Sequence, residues 1–275
     1  MKREDIERLQ ETARRMRINI LRMLHRAKSG HTGGSLSATD IITALYFYVM
    51  KHRPEEPDWR ERDRFVLSKG HAAPALYSAL AMCGYFDPTE LMTLRQAGSC
   101  LQGHPDRIKT RGIDASSGSL GQGLSIANGI ALGLRLSRVP SSVYVMLGDG
   151  EHQEGQVWEA AMTAAHYRLG KITAIVDNNG LQIDGPVKDV MGIEPLDDKW
   201  RAFGWDVQEI NGHDFQEIIA ALEAVRGKGL FDRPSMIIAK TVKGKGISIF
   251  EGQAKYHGVP PSDDELVRAM KELGE

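Results

Sequence analysis

Cysteine is scarce: Cys83 and Cys100 are the only two in 275 residues. That excludes a disulfide framework, and neither stands at metal-ligand spacing from another candidate ligand. An excess of one charge is also missing. Lys and Arg number 35 against 36 Asp and Glu, a net charge of −1 with neutral histidines. The balance removes the electrostatic footprint of a nucleic-acid binder. No Lys/Arg block marks an anionic membrane surface. The longest apolar stretch, Ile41 to Met50, is interrupted by Thr43 and is too short to span a bilayer. The amino-terminal MKREDIERLQETARR has no uninterrupted apolar segment and does not read as a secretory signal. There is no internal repeat, low-complexity stretch or clear linker. What is present is a hydrophobic fraction of 41%, enough to fill a core, in a length that suits one large domain or two modest ones. The expectation is a soluble chain of a reducing compartment, with the cytoplasm as its address and neither nucleic acid nor membrane as a partner.

Periodicity then assigns elements. Ile6, Leu9, Ala13, Met16, Ile20 and Leu24 recur at intervals of three and four, an amphipathic helix ended by Ser29-Gly30. A second helix is expected from about Ala38 to Val49, then a polar segment from Lys51 to Arg64. Phe65-Val66-Leu67 reads as a short buried strand, and Pro74 suits the first turn of a helix through Tyr77 and Ala81. From the middle onward strands and helices alternate. Val143–Leu147, Ile172–Val176, Trp205–Ile210 and Met236–Ala239 read as strands, Glu154–Tyr167 and Phe215–Val225 as helices. Apolar, β-branched strands alternating with helices predict an α/β fold: one parallel sheet covered by helices on both faces, with an amino-terminal helical extension. Residues 1–275 are read as one domain.

Ligands of open parallel sheets bind at the carboxyl ends of the strands. Two strands here end in polar turns, Gly148-Asp149-Gly150 and Asp177-Asn178-Asn179-Gly180. Glycine lets backbone approach a ligand closely, and Asp149 and Asn179 offer hard oxygen donors. Such donors suit Mg²⁺ or Ca²⁺, and Mg²⁺ usually completes its shell with phosphate oxygens. The helix expected near Glu154 would point its N-terminal dipole at the same place. Either turn alone is equally what an ordinary strand end carries, because Gly, Asp and Asn are common turn residues.

Together the two turns carry more. Gly-Asp-Gly, 27 intervening residues and Asn-Asn, with strand before and helix between, match the thiamine-diphosphate signature. The chain resembles the transketolase family, and the resemblance runs in order along nearly its whole length. It begins at Ser29-Gly30-His31 and continues through Ser68-Lys69-Gly70-His71, Gly103-His104-Pro105 and Gly118-Ser119-Leu120-Gly121-Gln122-Gly123. After the signature, with Glu154-Gly155, come Ile183-Asp184-Gly185, Asn211-Gly212-His213-Asp214 and Gly244-Lys245-Gly246.

The resemblance implies roles residue by residue. Asp149, Asn179 and the backbone carbonyl of Leu181 would bind a divalent metal (Mg²⁺, or Ca²⁺ or Mn²⁺ in its place) that clamps the diphosphate of thiamine diphosphate. Gly150 and His71 would contact that diphosphate, and the backbone at Gly118 and Leu120 would support the aminopyrimidine ring. His31, His104 and His257 would face the thiazolium carbon and the sugar, where a side chain of near-neutral pKa can donate to hydroxyls or move protons. Glu154 would reach across an interface toward a glutamate of another domain, a role compatible with complementing its helix dipole. His213 is read as structural, in a turn before a helix. His25, His52, His152 and His166 belong to no motif and are expected on the surface or in satisfied polar contacts. Ser119 and Thr32-Gly33-Gly34 depart from the family pattern near the expected active centre.

Family members made as one chain are more than twice as long and carry three domains. This sequence matches the first, and no residue in it corresponds to the glutamate of the pyrimidine-binding domain. The resemblance therefore implies one half of a split enzyme: a partner chain carrying the pyrimidine-binding and carboxyl-terminal domains, an α2β2 heterotetramer, and transfer of a two-carbon ketol unit between sugar phosphates. Two other readings stand beside it. One is a component of a different thiamine enzyme, of the 2-oxo-acid dehydrogenase or deoxyxylulose-phosphate synthase kind. The other is a non-catalytic cofactor-binding domain. Ser68-Lys69-Gly70-His71-Ala72-Ala73-Pro74 and Gly103-His104-Pro105-Asp106 favour transketolase over both.

Overall fold

The apolar runs named above become the strands of one sheet. The computed structural model describes residues 2–275. Strands β1 (Arg64–Leu67), β2 (Val143–Gly148), β3 (Ile172–Asn178), β6 (Asp206–Asn211) and β7 (Ser235–Lys240) form a five-stranded sheet in the order β1-β2-β3-β7-β6. Every pairing in it is parallel. A two-stranded hairpin, β4 (Leu181–Gln182) and β5 (Gly185–Pro186), follows β3 directly.

Alternation along each strand divides the core. Tyr144 and Met146 of β2, Ile175 of β3 and Ile237 of β7 face one hydrophobic cluster. Val143, Val145 and Leu147, with Ala174, Val176 and Ile238, face the other. The first cluster is closed by helices α1 (Arg3–Ala27), α2 (Thr32–Ala44), α3 (Ala73–Cys83), α8 (Phe215–Arg226) and α9 (Asp263–Glu272). The second is closed by α4 (Gln122–Leu136), α5 (Gly155–His166) and α7 (Leu196–Ala202); a single helical turn, α6 (Val187–Met191), lies beyond the hairpin. The expected α/β sheet with two helical layers is present. Its amino-terminal helices are one of those layers, since Leu9, Met16, Leu21 and Leu24 share a cluster with sheet residues.

Some boundaries differ from expectation. Helix α2 begins at Thr32, six positions before Ala38, and all thirteen of its residues are buried. A helix buried on every side carries no polar face, so periodicity gives no signal for it. Its two early glycines make room: a Cβ at Gly33 would lie 2.7 Å from Lys243 Cγ, and one at Gly34 would lie 3.3 Å from His71 Nε2. Helix α8 is capped by Asp214, which accepts from the backbone N–H of Gln216 at 2.7 Å. No helix among the described residues is long and apolar enough to cross a membrane.

Candidate functional site

Because all five strands run the same way, their carboxyl ends share one edge. The sheet register sets Leu67 opposite Met146, Gly148 opposite Asp177, and Asn178 opposite Lys240. The segments that follow, 68–71, 149–154, 179–183 and 241–243, therefore converge. With Leu120 and His257 they line a cleft of about 140 Å³. His71, Leu120, Asp149, Gly150, Glu154, Asn179, Leu181 and His257, all singled out from the sequence, are among the lining residues. Gly118 adjoins it, with φ +143° and room for no side chain, since a Cβ there would lie 3.0 Å from His104 Cγ.

The oxygen donors stand as follows. Asp149 is buried; its Oδ1 accepts from the N–H of Gly150 at 2.8 Å and its Oδ2 from the N–H of Gly180 at 2.5 Å. Asn179 Oδ1 accepts from the N–H of Leu181 at 3.1 Å, and the Leu181 carbonyl accepts from Lys243 Nζ at 2.9 Å. Burial, and then the charge of Asp177, raise the Asp149 pKa above its ordinary value. Two buried carboxylates so close together favour a nearby cation. Among the described residues no group of three or more His, Cys, Asp or Glu is set to hold a metal ion. The set here has a single carboxylate, one amide oxygen and one backbone carbonyl, the hard, incomplete shell that suits Mg²⁺ together with phosphate oxygens.

Beneath this set lies a buried ion pair that sequence reading missed. Lys69 Nζ donates to Asp177 and, at 3.1 Å, to the carbonyl of Gly34. Asp177 also accepts from Ser37 Oγ at 2.6 Å, from Thr241 Oγ1, and from the Asn179 side-chain amide at 3.3 Å. That last bond fixes which end of the Asn179 amide faces the Leu181 turn. These contacts hold the Asp177 pKa below its ordinary value despite burial. Lys243, 2% exposed, was missed as well. Burial, and then Lys69, push its pKa down to about 8.

Four imidazoles form the rest of the site. The ring centroids of His31 and His71 are 5.1 Å apart, those of His71 and His257 5.1 Å, those of His31 and His257 5.5 Å, and those of His31 and His104 6.3 Å. Burial, joined by neighbouring cations, lowers His31 to about 4 and His257 to about 3, and holds His71 well below its ordinary value. At neutral pH these three are therefore neutral. In that form each ring can donate one hydrogen bond and accept another, whereas an isolated imidazole would be partly protonated. His31 Nδ1 is buried without a protein partner, an orphaned polar atom on a ring that packs beside the cleft-lining His71 and His257. His104 is exposed; its turn is anchored by Tyr77 Oη, which bonds the carbonyls of Gln102 at 2.9 Å and His104 at 3.0 Å. Burial, and then Arg95 beside them, lowers the pKa values of both His31 and His104; Arg95 also bonds Ser29 Oγ at 3.0 Å. Glu154 is exposed at the N-cap of α5 without making a side-chain cap bond.

The remaining histidines sort by packing. His213 Nδ1 meets Asp40 at 2.7 Å and its Nε2 accepts from the N–H of Val242 at 2.8 Å, a tether with both nitrogens used. His25 meets Asp263 at 2.6 Å, and His52 the carbonyl of Tyr46 at 2.7 Å. His152 corrects the expectation of a surface or fully satisfied residue. It is 2% exposed, packed against Trp158 and Trp200, with Nδ1 on the Gly148 carbonyl and Nε2 without a partner.

The chain is similar to known proteins along nearly its whole length. The 6-deoxy-6-sulfo-D-fructose transketolase subunit SqwG of Clostridium sp. (strain MSTE9) is 48% identical, over 96% of this chain and 96% of its own. An apulose-4-phosphate transketolase subunit from Phocaeicola vulgatus is 40% identical, over 98% of this chain and 95% of its own. The crystal structure of transketolase from Campylobacter jejuni matches with a TM-score of 0.92 at 35% identity, covering 100% of this chain and 43% of that one. The chain thus spans less than half of that solved transketolase and nearly all of the two subunit proteins. Residues 8–275 match the model of the transketolase thiamine diphosphate binding domain, and the chain belongs to that family.

Proposed function

We propose that this chain is the thiamine-diphosphate-binding subunit of a two-component transketolase, moving a two-carbon ketol unit from a ketose phosphate to an aldose phosphate. The observation that carries the reading is the convergence of Asp149, Asn179 and the Leu181 carbonyl with four imidazoles on one sheet edge, in a chain that matches named transketolase subunits over nearly all of their sequence. When bound, thiamine diphosphate supplies the nucleophilic carbon and electron sink that let a carbon–carbon bond beside a carbonyl break and re-form. The chain supplies the rest. Asp149, Asn179 and Leu181 hold Mg²⁺ against the diphosphate, and His71, Gly150 and Lys243 face the phosphate oxygens. Gly118 and Leu120 support the aminopyrimidine ring. His31, His104 and His257 bond the sugar hydroxyls, and Glu154 reaches toward the neighbouring chain. The sugars are ketoses bearing an anionic group, the class named for both subunit relatives.

The reading includes a partner. The cleft of about 140 Å³ is smaller than the roughly 300–1,000 Å³ of a complete cofactor pocket. Apolar side chains stand exposed at and beyond its rim: Ile183 at 70% and Met191 at 62%. Such a surface is what an interface covers. We read residues 1–275 as one domain, paired in the cytoplasm with a chain carrying the pyrimidine-binding domain, two copies of each. Two free cysteines suit that reducing setting.

The test is reconstitution with the chain encoded by an adjacent reading frame. Alone, with Mg²⁺ and cofactor saturating, this chain is expected to give no transfer from xylulose 5-phosphate to ribose 5-phosphate. Orientation by the missing half contributes on the order of 7–11 kcal/mol to such a barrier. Activity should appear at one-to-one stoichiometry, with the mass of a heterotetramer by light scattering. Robust turnover by the partner-free chain would overturn the split-enzyme reading.

A further inference from the structure

Three of the loops that face the cleft meet at one buried side chain. Glu151 is 2% exposed and lies on the short helical turn after Asp149. Its Oε1 accepts from the N–H of Gly121 at 2.9 Å and from Ser68 Oγ; its Oε2 accepts from the N–H of Gly148 at 2.9 Å. Ser68 Oγ in turn accepts from the N–H of Gly123 at 3.2 Å. The donors come from segments 68–71, 118–123 and 148–150, far apart in sequence, and among the described residues no cation pairs with Glu151 directly. Glycine is needed where two of these loops touch: a Cβ at Gly123 would lie 2.7 Å from Ser68 Cα, and one at Gly70 2.8 Å from the Gly118 nitrogen.

We propose that Glu151 is a positioning residue that sets the mutual spacing of the three loops and thereby the seat of the cofactor. It stands in the wall of the cleft, 2% exposed, and both of its oxygens are taken by donors of the chain itself. Each donor it takes leads within a few residues to a group assigned above: Ser68 to His71, Gly121 to Leu120 and Gly118, Gly148 to Asp149 and Gly150. Charge-assisted bonds to backbone N–H groups are short and directional, so one carboxylate can hold three otherwise independent loops in register. Residues that orient a binding shell from behind typically change metal affinity or activity by roughly 10–100-fold when removed. The proposal rests on the functional reading above for what the loops bind, but not for how they are tied.

Glu151→Gln keeps the shape, loses the charge and turns one acceptor into a donor. In the full chain, hydrogen exchange should speed by about tenfold or more in all three segments, with the melting temperature little changed. Thiamine diphosphate affinity in Mg²⁺, measured by calorimetry on the reconstituted complex, should weaken on the order of 10–100-fold. Ser68→Ala should loosen 68–71 and 121–123 together, and its effect should be smaller in the Glu151→Gln background than in the wild type, because the two side chains share a bond while the Gly123 contact of Ser68 does not pass through Glu151. Faster exchange confined to 148–150, a uniform rise along the whole chain, or additive behaviour of the two substitutions overturns the proposal. If Glu151→Gln does not fold, Ser68→Ala still decides: a change limited to 68–71 refutes the shared anchor. If the wild-type complex binds no thiamine diphosphate in Mg²⁺, the functional reading falls while the exchange data still decide the role of Glu151.

Discussion

The ammonium of Lys243 donates to the carbonyl of Leu181 at 2.9 Å, so the oxygen assigned to a metal is already turned toward a cation. The same ammonium lies 2.9 Å from Nδ1 of His257. Lys243 thus ties the metal turn to the histidine cluster across the cleft. Lys243→Met keeps the aliphatic stem and removes the charge. A charged hydrogen bond is worth about 1.5–3 kcal/mol, so diphosphate affinity should fall roughly 10- to 100-fold. Calorimetry on the reconstituted complex checks this, and unchanged affinity would remove Lys243 from the binding set.

Asp149 is the only carboxylate among the three proposed metal donors. Asp149→Ala should abolish measurable thiamine diphosphate binding at ordinary Mg²⁺ concentrations, because the diphosphate charge loses its clamp. Gly150 and Gly180 would lose their acceptor too, so circular dichroism should accompany the titration. A folded variant with wild-type affinity sinks the metal assignment.

His104 is the most exposed of the four clustered imidazoles, and its turn is held by Tyr77 through backbone carbonyls. His104→Ala should therefore fold and melt like the wild type. Loss of one positioned proton donor typically costs roughly 10²–10⁴-fold in rate. His31→Ala should behave likewise, and His71→Ala should also weaken cofactor binding. Wild-type turnover by His104→Ala with several donor sugars would withdraw its role.

Burial lowers the His152 pKa to about 4. From about pH 6.5 down to that value, the unfolded chain holds a proton on this imidazole that the folded chain refuses. Stability therefore falls as pH drops through that window and is unaffected by this group above it. His31 and His257, also lowered, act in the same direction. His152→Gln should flatten the dependence by up to about 1.4 kcal/mol per pH unit inside the window. Urea unfolding of both proteins between about pH 7 and pH 4.5 measures the difference. Parallel curves would contradict the assignment.

The sequence by itself determined the parallel sheet and the edge where chemistry gathers. Strand periodicity and strand-end turns are local properties, so Val143–Leu147 with Gly148-Asp149-Gly150, and Ile172–Val176 with Asp177 to Gly180, could be read without knowing their neighbours. The motif histidines were legible only through the family resemblance, since a histidine beside glycine is by itself an ordinary turn residue. Only the tertiary structure decided the rest. Lys69 finds Asp177 across 108 residues, and Glu151 finds Ser68 across 83. Nothing in the local pattern of either pair distinguishes a buried ion pair or anchor from solvated charge. Helix α2 hid its first turn because it is buried all round, and His152 hid its burial because its tryptophan pocket is assembled from α5 and α7. Strand order and helix packing bring such partners together, and burial then strengthens every charge that remains. That is why the cleft's outline was readable in the chain, while the pKa values of its imidazoles and the anchor beneath it were not.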